Sequence, residues 1–198
     1  MSFRVEEKIT INNTDYLLFK NYLKKIGSKL LYPKRKIFST YFDNLFFKMY
    51  FDTEEGIVPR KKIRIRKYIT KNINNSNLET KISSVEGRFK TTKKISKKQY
   101  DEFLKNGFFD NQYGICYPVI SVAYLREYYS LEGQRITLDT NISYNSFKSK
   151  VIVQDIQNCI IEIKGNEKFK KNYFDNLIPF QRIRHSKYLD GLQKLELV

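Results

Sequence analysis

The run Lys62-Ile63-Arg64-Ile65-Arg66 constrains this chain more than any other feature. In an extended strand successive side chains point to opposite faces, so Lys62, Arg64 and Arg66, with Tyr68 beyond them, share one face, while Ile63 and Ile65 share the other. The pattern recurs. Arg4, Glu6 and Lys8 lie opposite Val5 and Ile9; Glu79 shares a face with Lys81, and Arg88 with Lys90. Tyr124, Arg126 and Tyr128 share a face; Arg135, Thr137 and Asp139 lie opposite Ile136 and Leu138; Glu162 and Lys164 lie opposite Ile161 and Ile163. A half-exposed sheet with its charges in water explains any one of these strands. It explains the set less well, because the charges are mostly Arg and Lys, with one Glu per strand in several cases. A sheet curled so that the charged face lines a lumen and helices cover the apolar face accounts for all of them. Such a lumen must hold polyanion, metal and water, since unpaired buried cations are costly.

The alternation predicts strands over 3–11, 36–43, 60–70, 77–85, 87–94, 118–131, 134–142 and 151–165, the last divisible into two. Helices are expected over 14–26, capped by Asn13 or Thr14, with Leu17, Leu18, Tyr22 and Ile26 as the apolar spacing and Gly27 as the stop, and over 97–105, between Ser96 and Gly107. A last helix follows Ser186, read as its cap. The Asn-rich stretch Lys71–Asn77 reads as a hairpin loop. The expected fold class is α+β: a closed, largely antiparallel barrel with helices outside it, formed as a single domain over residues 1–198.

The chain has 37 Lys plus Arg against 21 Asp plus Glu, a formal net charge of +16. That surplus calls for a polyanionic partner: nucleic acid, an acidic membrane or a phosphate-rich small molecule. With 15 Tyr and 15 Phe an RNA-binding sheet competes on composition. No ribonucleoprotein, KH or helix-turn-helix signature is present, so nucleic acid is not the expected partner. Cys116 and Cys159 are far apart, and the chain has one histidine, His185, which argues against zinc. Two buried thiols in a reducing compartment is the plainer reading, with a disulfide left open. The first residues lack the apolar run of a signal peptide, and no apolar stretch approaches the ~20 residues that cross a bilayer; a cytosolic location is expected.

In order, the chain carries Arg4-x-Glu6-x-Lys8, Ser39-Thr40-Tyr41-Phe42-Asp43, Lys62-Ile63-Arg64-Ile65-Arg66, Leu78-Glu79-x-Lys81, Tyr124-x-Arg126, Arg135-Ile136-Thr137-Leu138-Asp139, Ile161-Glu162-Ile163-Lys164 and Ser186-Lys187-Tyr188. In this series it resembles the triphosphate tunnel metalloenzymes, and within them the polyphosphate-polymerase domain of the vacuolar transporter chaperone (VTC) proteins. The resemblance implies an eight-stranded antiparallel tunnel that binds a triphosphate such as ATP and transfers its terminal phosphoryl group, with polyphosphate as product. It also implies site residues. Lys8, Arg64, Arg66, Lys81, Arg126 and Lys187 would be the catalytic phosphate contacts. Arg4, Lys62, Arg88, Lys90, Tyr124, Lys164, Arg184 and Ser186 would add substrate contacts. Glu162, with Glu6 and Glu79 as further candidates, would hold Mn²⁺ or Mg²⁺, hard cations that prefer carboxylate oxygen. All three glutamates have an alternative role, neutralising Lys and Arg across strands.

The chain also departs from the pattern. Its first strand reads Arg-x-Glu-x-Lys where the cyclase and thiamine-triphosphatase branch has Glu-x-Glu-x-Lys, which favours the polymerase branch. Met49–Gly56 lacks an arginine that eukaryotic polymerases place before the Arg-x-Arg strand. No inositol-phosphate-sensing or membrane segment accompanies the motifs, so membrane coupling would come from a separate protein. The alternatives are triphosphate hydrolysis on the same cradle and a noncatalytic polyphosphate- or RNA-binding module. His185 beside Ser186 is not a nucleophile pair, because adjacent residues rarely face each other and no carboxylate partner is evident.

Overall fold

A computed structural model describes residues 4–70, 73–166, 183 and 185–198. In chain order the elements are β1 (Arg4–Asn12), α1 (Asn13–Lys25), β2 (Lys29–Asp43), α2 (Lys48–Glu54), β3 (Arg60–Thr70), β4 (Ile73–Ser84), β5 (Gly87–Ile95) and α3 (Lys97–Asn106). They continue with β6 (Phe108–Asp110), β7 (Gly114–Leu131), β8 (Gln134–Ser146), β9 (Ile152–Asp155), β10 (Asn158–Asn166) and α4 (Lys187–Lys194). The α+β class and the expected strands are present. The strands form one ten-stranded sheet in the order β1-β10-β8-β7-β2-β3-β4-β5, with β6 on β7 and β9 on β8 as side branches. Among the described residues this ladder ends at β1 and at β5, where the expected closed eight-stranded barrel would have no ends. Two compact units divide the chain, and β2, β7, β8 and β9 have residues in both.

In the first unit (Met1–Arg35, Tyr124–Ile142 and Asp155–His185) β1 pairs antiparallel with β10, from Arg4 opposite Asn166 to Asn12 opposite Asn158. β10 in turn pairs with β8. The apolar members of the alternation, Ile9, Ile11, Ile136, Leu138, Ile161 and Ile163, are buried under α1, which contributes Phe19 and Leu23. Each such side chain adds about 1.5–3 kcal/mol when taken from water. The α1 cap is Asn12, one residue earlier than expected, and its side chain accepts from the Asp15 N–H at 2.9 Å. The apolar face also differs from expectation: Leu17 and Leu18 are 59% and 63% exposed. The helix is turned by Glu127, a buried carboxylate of β7 that accepts from Tyr16 Oη at 3.0 Å, Lys20 Nζ at 3.0 Å and Tyr129 Oη at 2.7 Å. Facing Tyr16 and Lys20 inward leaves the leucines outward. Turn geometry sets the β7–β8 hairpin: Glu132 and Gly133 both have positive φ (48° and 76°), as a two-residue hairpin turn requires.

In the second unit (Lys36–Ala123, Ser143–Gln154 and Ser186–Val198) β2, β3, β4 and β5 pair in sequence, all antiparallel. β4 begins at Ile73, so most of the Asn-rich stretch is strand, and residues 71–72 lie outside the described set. Neither α2 nor β6 is expected from the alternation. α2 forms around Asp43, whose fully buried carboxylate accepts from the N–H groups of Met49 and Tyr50 at 3.0 Å each and from Tyr188 Oη of α4 at 2.5 Å. α4 packs closely enough that a Cβ on Gly191 would lie 2.6 Å from both Ile120 and Tyr144. Cys116 and Cys159 are buried and not joined in a disulfide, as the plainer reading expects. No helix of the described residues is long and apolar enough to cross a membrane.

Candidate functional site

The cross-strand register of the second unit sets charged residues in rows. Lys62 lies opposite Lys81, and Lys81 opposite Lys90; Tyr41 lies opposite Arg64, and Arg64 opposite Glu79; Ser39 lies opposite Arg66. Glu79, 3% exposed, is the one acidic residue at these positions. Arg64 donates to its Oε2 from Nε at 2.8 Å and Nη2 at 2.7 Å, and Lys90 donates to Oε1 at 2.6 Å. Arg66 Nη1 stands 3.9 Å from Oε2, and its Nε donates weakly to Ser39 Oγ at 3.4 Å. The remaining N–H edge of Arg64 donates from Nη1 to Tyr41 Oη at 3.0 Å. From α4, Ser186 Oγ accepts from Lys62 Nζ at 3.1 Å and makes no side-chain cap to its own helix, which corrects its reading as a cap. Lys187 follows it in the first turn of α4, within electrostatic reach of Tyr41. Arg88 and Lys90 are on the exposed strand β5.

Burial would raise the Glu79 carboxyl, but Arg64, Arg66 and Lys90 outweigh it and bring it down to about 2. A group whose folded pKa is depressed contributes stability above its unfolded value of ~4.3, and that stability is lost as pH falls through the folded value. The difference corresponds to roughly 3 kcal/mol. Acid unfolding of the wild type is therefore expected to accelerate between about pH 4.5 and pH 2, while Glu79→Gln, already destabilised at neutral pH, shows a shallower fall over that window. Urea midpoints taken across this pH range check it, and parallel curves for the two proteins would remove Glu79 from the account.

The first unit holds a second cluster. Glu6 is opposite Lys164 in the β1–β10 register, and Lys8 is opposite Glu162. Lys164 Nζ lies 3.1 Å from Glu6 Oε2 and 2.7 Å from Glu162 Oε1. Lys8 Nζ lies 3.4 Å from Glu6 Oε1 and donates to the His185 carbonyl at 3.0 Å. Arg126 chelates Asp139 through Nε at 2.5 Å and Nη2 at 2.6 Å, and Nη2 also reaches Glu162 Oε2 at 3.4 Å. Its guanidinium lies 5.2 Å from the centre of the buried Tyr124 ring. Burial opposes the charge of Glu162, but Arg126, Lys164 and Lys8 outweigh it and hold the carboxyl well below its usual range. Burial likewise works against Arg126, and Asp139 outweighs it and raises the guanidinium.

Of the residues singled out from sequence, Lys62, Arg64, Arg66, Lys81, Lys90, Glu79, Ser186 and Lys187 fall in the second unit, with Arg88 at its exposed edge. Lys8, Glu6, Tyr124, Arg126, Glu162 and Lys164 fall in the first. The side chain of Arg4 and all of Arg184 lie outside the described residues. Sequence reasoning assigned no role to Asp139 or Tyr41. Counting outward from the Glu132-Gly133 turn places Asp139 directly opposite Arg126, and that arithmetic was available as a signal. For a divalent cation, Glu6 and Glu162 fit: both converge on one point, the Lys164 ammonium. Mg²⁺ and Mn²⁺ are held by one or two carboxylates, with water and phosphate oxygens completing the shell. Both oxygens of Glu79 are already bonded to Arg64 and Lys90. Among the described residues no group of three or more His, Cys, Asp or Glu converges.

Fold and charged strand faces define a class, an antiparallel sheet that carries ordered rows of Lys, Arg and Glu. The VTC domain family matches residues 3–114, more than half of the chain, and the protein belongs to that family. No curated protein matches it. Among solved structures it is similar to a candidate adenylate cyclase of Bacillus halodurans, at 13% identity and a TM-score of 0.64, over 97% of this chain and 96% of that one. It is also similar to the PH1819 protein of Pyrococcus horikoshii, at 18% identity and a TM-score of 0.57, over 97% and 99%. A candidate adenylyl cyclase of Hippeastrum, described as having a dominant triphosphatase activity, matches at 12% identity and a TM-score of 0.56, over 95% and 93%. These likenesses are of fold, and they are consistent with the triphosphate tunnel metalloenzymes.

Proposed function

We propose that this protein carries out metal-dependent phosphoryl transfer from a nucleoside triphosphate, with ATP-driven polyphosphate synthesis as the reaction. The observation that carries the reading is the Arg64–Glu79–Arg66–Lys90 cluster, in which one carboxylate holds cations in fixed positions at a partly buried strand face. Phosphoryl transfer needs positioning and charge neutralisation more than covalent chemistry, and preoriented guanidinium groups supply both. Arg64 and Arg66 bind phosphate oxygens, with Lys62, Lys81, Lys187 and Ser186 around them. Arg88 and Lys90 meet anion at the exposed edge. Lys8, Arg126 and Tyr124 make the corresponding contacts in the first unit, and Glu162 and Glu6 hold Mn²⁺ or Mg²⁺. The metal, when bound, neutralises charge developing on the transferred group. A tunnel closed around the anion belongs to this proposal and rests on family membership and likeness of fold.

Tripolyphosphate at about 100 times its Kd stabilises the folded state by about 2.7 kcal/mol, an upward melting shift of roughly 5–10 °C for a chain of this size. No shift at millimolar tripolyphosphate would count against the reading, and a larger shift with single-stranded RNA would turn it toward nucleic acid. Incubation with ATP and Mn²⁺, followed by a polyphosphate-stained gel and a phosphate-release assay, separates synthesis from hydrolysis. Long polymer supports synthesis; free phosphate alone assigns a triphosphatase.

A further inference from the structure

We propose that Tyr41 is a further substrate-contacting residue, its hydroxyl donating a hydrogen bond to a phosphate oxygen of the anion bound at Arg64. The inference rests on the phosphate-cradle reading above and adds to it a neutral donor among the cations.

The argument is one of satisfiability. Tyr41 is 5% exposed, its ring stacked on Tyr188 at 5.3 Å between centroids and 20° between planes. Tyr188 is itself fixed by its bond to Asp43. The Tyr41 oxygen accepts from Arg64 Nη1 at 3.0 Å, and among the described residues its own hydrogen finds no acceptor. A phenol is one donor as well as an acceptor, and a buried donor without a partner is costly. The charged groups around it cannot supply one. Arg64 and Arg66 of β3 and Lys187 of α4 carry donors only, and the Glu79 carboxylate of β4, turned to Arg64 and Lys90, takes no bond from Tyr41. The stacked neighbour Tyr188 directs its hydroxyl to Asp43. Burial would raise the Tyr41 phenol, but Arg64, Arg66 and Lys187 outweigh it and lower it, as at a site arranged for negative charge. An incoming phosphate oxygen is the acceptor that this donor lacks. Arg64, held by Glu79 on one side and Tyr41 on the other, then presents its charge beside a neutral donor at a fixed angle.

Calorimetric titration of tripolyphosphate, without metal, into wild type, Tyr41→Phe and Arg64→Ala tests this. Tyr41→Phe keeps the ring and its stacking, and is expected to weaken binding about tenfold with an unchanged melting temperature. Wild-type affinity should also fall as the phenol ionises at alkaline pH, a step that is missing from the Tyr41→Phe profile. Should Tyr41→Phe fail to fold, ¹³Cζ-tyrosine NMR of the wild type reads the same contact, and the Tyr41 resonance is expected to titrate at higher pH once tripolyphosphate is bound. Unchanged affinity and pH profile in Tyr41→Phe, or an unmoved Tyr41 titration, would overturn the assignment. If Arg64→Ala binds tripolyphosphate as wild type does, the cradle reading itself fails. Loss in Arg64→Ala with none in Tyr41→Phe defeats the Tyr41 assignment alone.

Discussion

Replacing Arg126 by alanine is expected to cost about 3–5 kcal/mol of folding stability, the cost of breaking a buried ion pair from one side. Asp139 is fully buried, and both of its oxygens are bonded to that one guanidinium. Without Arg126 the carboxylate either stays charged and desolvated or takes up a proton, and either outcome works against folding. Arg126→Lys should fall between, since an ammonium cannot reproduce the two-pronged contact. The double variant Arg126→Met with Asp139→Leu should recover most of the loss, because it removes both charges together. Urea midpoints for the three variants measure this. A cost below about 1 kcal/mol for Arg126→Ala would mean that water reaches Asp139. Loss of tripolyphosphate binding in Arg126→Ala must be read beside its stability, whereas Arg64→Ala leaves Glu79 with Lys90 and Arg66 close by.

Glu162→Gln should produce a different pattern, with anion affinity kept and turnover falling more than a hundredfold, at a cost in stability because the carboxylate that pairs with Lys164 and Arg126 is neutralised. The substitution keeps the shape and removes one negative charge beside Arg126, Lys164 and Lys8, so tripolyphosphate binds as well as before or better. The convergence of Glu6 and Glu162 on one point is lost, and with it a carboxylate that a hard cation needs. Calorimetry with a nonhydrolysable ATP analogue, and Mn²⁺-dependent phosphate-release and polymer assays, read the two quantities apart. Full activity in Glu162→Gln would transfer the metal role to Glu6 or Glu79. Lys164 sharpens the test, since its ammonium stands at the point of convergence and Lys164→Gln should raise Mn²⁺ affinity in the absence of nucleotide.

The alternation that identified the strands is a local property, and β3 and β10 follow it residue for residue. Closure is a property of strand ends that no single strand encodes, and the described ladder ends at β1 and β5. The start of β2 is hidden for the same kind of reason: Lys29–Arg35 lacks the alternation, and this part of the strand is exposed on both faces. In α1 two apolar pairings compete, Leu17 with Leu18 or Phe19 with Leu23. Hydrophobicity cannot choose between them, and the choice was made by Glu127, more than a hundred residues away in the chain. The same holds for Asp43. An acid at a strand end reads as a turn residue until Met49, Tyr50 and Tyr188 are seen around it. Cations were legible because alternation orders them; their counter-ions were less so, because a carboxylate acts through a partner on another strand.

The bond from Tyr188 to Asp43 bears on how the protein can be dissected. A single carboxylate serves as the anchor of α4 and as the starting point of α2, and the residues just before Tyr188 are Ser186 and Lys187, both proposed above as phosphate contacts. A deletion that ends the chain at His185 would therefore be a compound lesion. It removes the two proposed phosphate contacts, leaves Asp43 short of its phenol donor and uncovers Ile120 and Tyr144, against which Gly191 fits. Truncation cannot serve as a separation-of-function tool at this end of the chain. Point substitutions at Ser186 and Lys187 can, because neither side chain takes part in the hydrogen bond that ties the helix down.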